Sequence, residues 1–233
     1  MQIAPDMHLV NGVSCNVYII TEPDGLTIVD AGLPGAPKRI LAAVTALGRS
    51  PRDVRHILLT HQHVDHVGGL AALSAATGAE TWASVGDTPA IEGRARYETP
   101  RGALGLVIRV VFLPRLKPGS ITHVTREGET LPVLSAEGGL RVVETPGHTL
   151  GHIGFYLPSR RLLFAGDAVR SSGGRLPLSP TALNTDTALA LESVRKLAAM
   201  EIEACLPGHG APVLTGAQAL LAATSGQPSP SRA

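Results

Sequence analysis

The chain has 233 residues, 44% of them hydrophobic and 17% charged, which suits one large globular core. A net charge of +1 supplies no field for nucleic acid or membrane, and 3% aromatic content supplies no stacking platform for single strands. The expected partner is therefore a small-molecule substrate, with no nucleic acid and no membrane; the oligomeric state is not set by the sequence, and a homodimer is compatible with it.

Met1–Asp6 has no basic stretch leading into an apolar one, and no run is long enough to span a bilayer. Cys15 and Cys205 each sit in an apolar, strand-like context, so buried free thiols and a cytoplasmic location are expected. A composition rich in Ala, Gly, Pro and Arg and poor in Lys points to a GC-rich bacterial genome.

Asn16–Thr21 and Leu26–Asp30 read as a hairpin turned by Asp24-Gly25, with positive φ at the turn. Asp30 ends the second strand, and the residues alone leave it as a turn former or as a buried carboxylate. A helix is expected over Pro34–Leu47, with Ile40, Leu41, Val44 and Leu47 on one face and Gly48 closing it. Arg55–Leu59 reads as a short buried strand that runs into Thr60-His61-Gln62-His63-Val64-Asp65-His66-Val67-Gly68-Gly69. In extended chain His61 and His63 share a side, while Asp65 and His66 lie past the turn and can face a second centre. Histidines at strand ends are often merely solvated or capping. Three within six residues, with an Asp between them, favour metal ligation instead.

A helix over Leu70–Thr77 and a strand over Glu80–Ser84 follow. Residues 87–117, rich in arginine and broken by Pro89, Pro100 and Pro114, read as an insertion of short helices and loops. It is either a solvated cover or a lid bearing cationic substrate contacts. Two β pairs come next, Thr130–Leu134 with Leu140–Thr145 and Gly151–Leu157 with Arg161–Ala165. Asn184-Thr185-Asp186 caps a helix running to Met200, with Leu191, Val194 and Leu197-Ala198 facing inward. Three strand ends repeat one pattern, in which an apolar run stops, a glycine turns the chain and a ligand-type residue follows: Gly147-His148, Gly166-Asp167 and Gly208-His209. His152 is assigned to packing or support, and His8, His56 and His123 to the surface or an interface. The tail over 225–233 is Pro/Ser-rich and expected to be disordered.

His61-x-His63-x-Asp65-His66, then His148, Asp167 and His209, resembles the full ligand pattern of the metallo-β-lactamase superfamily, over nearly all of the chain. The resemblance implies an α/β (α+β) class fold, the four-layer αβ/βα sandwich, as one domain over 1–224. It implies His61, His63 and His148 on one divalent metal ion and Asp65, His66 and His209 on a second, with Asp167 bridging. It also favours Asp30 as the carboxylate behind a ligand histidine. Zinc suits these donors, as do iron and manganese. The implied chemistry is hydrolysis of a small ester-like substrate, a thioester or lactone, by a hydroxide shared between the metals, with Asp65 orienting the water and Asp167 fixing the metal pair.

Thr60–Gly69 and Pro146–His152 resemble hydroxyacylglutathione hydrolases, although the short segment after His209 leaves glutathione recognition unsupported. Acyl-homoserine lactonases place a Tyr soon after the bridging Asp, where this chain has Ala168-Val169-Arg170-Ser171. The alternative of another class is a mononuclear iron enzyme similar to persulfide dioxygenases, which retain the same ligand positions.

Overall fold

The computed structural model describes residues 1–100 and 102–226. Ser225 ends the last helix, and the rest of the expected tail beyond Gly226 lies outside the described residues, as does Arg101. The chain divides into two compact units, Met1–Thr125 and the part from Arg126 onward, each built on its own sheet.

The sheet of the first unit runs in chain order: β1 (Gln2–Ala4), β2 (Met7–Val10), β3 (Val17–Glu22), β4 (Gly25–Val29), β5 (Val54–Leu58), β6 (Glu80–Ser84) and β7 (His123–Thr125). Strands β1 to β4 are antiparallel and β4 to β7 are parallel. Parallel neighbours need crossovers. The first is α1 (Pro37–Ala46), and the second is α2 (Val64–Val67) followed by α3 (Leu70–Thr77). Ile40 and Val44 of α1 and Leu70 and Leu73 of α3 are buried in one cluster with Ile19, Ile28 and Ile57 of the sheet. Each such side chain contributes roughly 1.5–3 kcal/mol by leaving water.

The structure departs from the local expectations at three places in this unit. Helix α1 starts at Pro37 rather than Pro34, because proline fits the first helical turn and Leu33–Gly35 are spent in a turn. Gly25 is no positive-φ turn residue; it opens β4, paired with Glu22. Strands β1, β2 and β7 were not anticipated, being three or four residues long with no clear alternation. The segment after β6 contains short helices as expected: α4 (Thr88–Ile91), α5 (Gly102–Val107), a π-helical turn over Ile108–Phe112 and a 3-10 turn over Leu113–Arg115.

The second unit's sheet has the order β12-β11-β10-β9-β8, with β8 (Thr130–Leu131), β9 (Leu140–Glu144), β10 (Ile153–Leu157), β11 (Leu162–Gly166) and β12 (Ala204–Pro207). The strands from β8 to β11 are antiparallel, and β12 pairs parallel to β11 after α6 (Thr187–Ala198). Strand β8 stops before Leu134 because Pro132 cannot donate to a ladder and Leu134 turns to φ 55°. Asp186 caps α6 by accepting from Leu189 N–H at 3.0 Å. The buried face of α6 uses Ser193, Val194 and Leu197, while Leu191 is only half-buried. Helix α7 (Ala217–Ser225) adds Leu221 to the same core as Leu163, Val194 and Cys205. No helix among the described residues is long and apolar enough to cross a membrane.

Candidate metal centre

In the first unit the site begins at the ends of β4 and β5. Asp30, 2% exposed, turns off β4 at φ 65°, a left-handed conformation that Asp tolerates better than most residues. Its carboxylate accepts Thr60 N–H at 2.9 Å and the Thr60 hydroxyl at 3.0–3.1 Å, and Oδ2 lies 2.8 Å from His66 Nδ1. The imidazole N–H donates to that carboxylate, so His66 presents the Nε2 lone pair. The Thr60 hydroxyl has spent its proton on Asp30, so at 3.0 Å it accepts from His61 Nδ1–H, and His61 likewise presents Nε2.

The rings of His61 and His66 are 4.1 Å apart and those of His61 and His63 are 4.8 Å apart. Asp65 and His66 sit on the single turn of α2, with Asp65 Oδ2 3.8 Å from His66 Nε2. This turn is pressed against the loop after Asp30. Gly69 N–H donates to Gly32 O, Ala31 N–H donates to His66 O, and a Cβ at Gly69 would stand 2.2 Å from Ala31 O. Cys15 is buried beside His66; burial pushes its thiol up, and the neighbouring imidazole pulls it partly back.

Two residues that the sequence reading missed hold this loop from the other side. Asp87 is fully buried and accepts Gln62 N–H at 2.9 Å and the Gln62 side-chain amide at 3.0 Å. Gln62 Oε1 in turn accepts Glu98 N–H at 2.9 Å. The backbone between His61 and His63 is thereby clamped. The available signal was Val85-Gly86-Asp87, which repeats the strand–Gly–carboxylate pattern directly after β6.

In the second unit Gly147 turns the chain at φ 130°, with the α6 backbone so close that a Cβ would stand 2.2 Å from Ala190 N. His148 Nδ1 meets Asn184 Oδ1 at 3.1 Å, and Asn184 Nδ2 donates to Ser179 O, which fixes the amide as the acceptor. His148 therefore presents Nε2 as well. Asn184, expected in a helix cap, serves this histidine instead. His152 Nε2 accepts Asp167 N–H at 2.9 Å, and its Nδ1–H donates to Thr145 Oγ1 at 2.7 Å. His152 thus holds the Asp167 backbone. Asp167 Oδ2 lies 3.4 Å from Nε2 of both His148 and His209, and His209 O accepts Ser171 N–H.

Lone pairs of neutral imidazoles turned toward a carboxylate repel unless a cation stands among them. Nε2 of His148, Nε2 of His209 and Asp167 Oδ2 converge in the second unit, and in the first Asp65 stands beside His66 Nε2. Nitrogen and carboxylate donors of this kind fit a divalent metal ion. Of the remaining histidines, His123 stacks on Trp82 at 4.0 Å and His56, on β5, accepts the Trp82 indole N–H at 3.3 Å, both beside Glu80.

Residues 10–209 match the model of the family described as "Metallo-beta-lactamase superfamily". The chain is also 30% identical over 231 residues to the "Probable metallo-hydrolase YflN" of Bacillus subtilis, covering 91% of this chain and 86% of that protein. The chain belongs to the metallo-β-lactamase superfamily. It is 32% identical over 175 residues to a hydroxyacylglutathione hydrolase of Rhodospirillum rubrum, covering 73% of this chain and 55% of that enzyme. The chain thus spans only about half the length of that relative. A metallo-β-lactamase family protein of Thermus thermophilus superposes with a TM-score of 0.72 over 97% of this chain and 80% of its own, at 23% identity. That likeness shows the fold, the superfamily's α/β sandwich class. The family and its homologues make this chain a metal-dependent hydrolase.

Proposed function

We propose that His61, His63, Asp65, His66, His148, Asp167 and His209 act together as one binuclear centre that hydrolyses a small ester-like substrate. In this reading His61, His63 and His148 hold one divalent ion, Asp65, His66 and His209 hold the other, and Asp167 serves both. The observation that carries it is the position of Asp167 Oδ2, 3.4 Å from Nε2 of His148 and from Nε2 of His209, histidines assigned to different ions. Zinc is the preferred metal, and iron or manganese would find the same donors acceptable. When bound, such ions supply Lewis acidity and bring the pKa of a coordinated water from 15.7 to about 7.

The chain's own residues do the rest. Asp30 and Thr60 keep His66 and His61 in the tautomers that offer Nε2, and Asn184 does so for His148. Asp65 accepts a hydrogen bond from the attacking water and orients it. His152 fixes the backbone from which Asp167 projects. A thioester is the first substrate class to test, supported by the hydroxyacylglutathione hydrolase relatives, and a lactone the second. The relatives named above are bacterial, and the buried free thiols Cys15 and Cys205 suit a cytoplasmic enzyme.

The test is metal content of protein purified without added metal, together with turnover of thioesters, lactones and phosphodiesters. Two zinc ions per chain with thioester or lactone hydrolysis is the expected result. One iron per chain with oxygen consumption on a persulfide would replace the reading with the dioxygenase alternative, which the hydrolase names of the relatives do not favour.

A further inference from the structure

Between α4 and β7 the first unit contains a cavity of about 480 Å³, within the size range of small-molecule sites. Its walls combine Arg96 and Arg109 with the apolar faces of Tyr97, Leu113, Leu116 and Pro118, and no acidic residue lines it. Nearby charges do not cancel the two guanidinium groups. Arg94 is taken by Glu92, and Glu98 is turned to Gln62, whose side-chain amide donates to it at 3.3 Å. Among the described residues neither Arg96 nor Arg109 is in an ion pair. Arg109 is held in place by donating Nε–H to Thr99 Oγ1 at 2.8 Å. Burial pushes the Tyr97 hydroxyl up to about 12, so it stays a neutral donor at physiological pH.

The cavity is wired to the ligand loop. Tyr97 adjoins Glu98, whose N–H donates to Gln62 Oε1, and Gln62 stands between His61 and His63. Strong cationic donors, an apolar wall and no acid specify the complement, an oxyanion head carried on an apolar body.

We propose that this cavity binds an amphipathic oxyanion, and that it receives the anionic, non-reacting end of the substrate. The second clause rests on the hydrolase reading; the first does not. Binding can therefore be tested without turnover, on the full chain as purified. Titrate it with 1-anilinonaphthalene-8-sulfonate and, separately, with the uncharged N-phenyl-1-naphthylamine, following fluorescence, for wild type and for R96Q/R109Q. The expected result is saturable sulfonate binding, weakened about tenfold or more in the double variant while the uncharged probe binds both chains alike. Circular dichroism and metal content should match in the two chains. Displacement of the sulfonate by octanoate or by octyl phosphate then distinguishes a carboxylate head from a phosphate head. Absence of saturable sulfonate binding, or equal binding by the two chains, would overturn the proposal. If binding holds but no ester is hydrolysed, only the proposed function and the substrate clause fall.

Discussion

Asp30→Asn isolates the charge behind His66 with little change of shape. Asparagine tolerates the left-handed backbone at φ 65°, and its Oδ1 can still accept Thr60 N–H at the 2.9 Å position. At 2.8 Å from His66 Nδ1, however, a carboxylate oxygen gives way to an amide N–H. Two donors cannot face each other. His66 must then carry its proton on Nε2, the atom needed for the metal, or the amide must flip and lose Thr60. Outer-shell losses of this kind cost about 10–100-fold in metal affinity, equivalent to roughly 1.4–2.7 kcal/mol. Asp30→Ala adds a buried Thr60 N–H without an acceptor, about 1–3 kcal/mol of fold stability. Competition against a chromophoric chelator measures the first quantity and urea denaturation of the metal-free chain the second. The Asn variant should lose metal affinity with little loss of fold stability, and the Ala variant should lose both. An Asn variant that binds metal as tightly as wild type would refute the tautomer argument.

Asp167→Asn should abolish ester hydrolysis and lower the metal bound per chain while circular dichroism is unchanged. Asp87→Ala strips two hydrogen bonds from Gln62 and should cost roughly 1–3 kcal/mol by urea denaturation, with weaker metal retention. Gly147→Ala drives a Cβ to 2.2 Å from Ala190 N, so thermal denaturation should show a strongly lowered Tm or no folded protein. Burial raises the Cys205 thiol to about 12, well above the ordinary thiol range. Its stability contribution is therefore present below about pH 9 and is lost as pH rises toward 12. The difference between wild type and Cys205→Ala in urea denaturation should shift by up to about 4 kcal/mol over that window, and a pH-independent difference would refute it.

What was legible in the sequence is local. Strand β6 was bounded correctly at Glu80–Ser84, because a β-branched and aromatic run between Gly78 and Gly86 has one reading. The ligand loop was legible because its donors fall within six residues. Asp87 was not. Its pattern matches that of Gly166-Asp167, yet its partner Gln62 is 25 positions away, and only the folded sheet brings β6 beside β5. Asn184 was misassigned for the same reason, its contact with His148 being 36 positions distant. Strand β7 escapes the sequence because three residues without alternating burial carry too little periodicity to register.

The most direct test of the central claim is anomalous diffraction from crystals of the zinc-loaded chain. The expected result is two peaks, one about 2.0–2.2 Å from Nε2 of His61, His63 and His148, the other equally close to Asp65, His66 and His209, with an Asp167 oxygen within that distance of each. A single peak, or a second one that Asp167 does not reach, would contradict it.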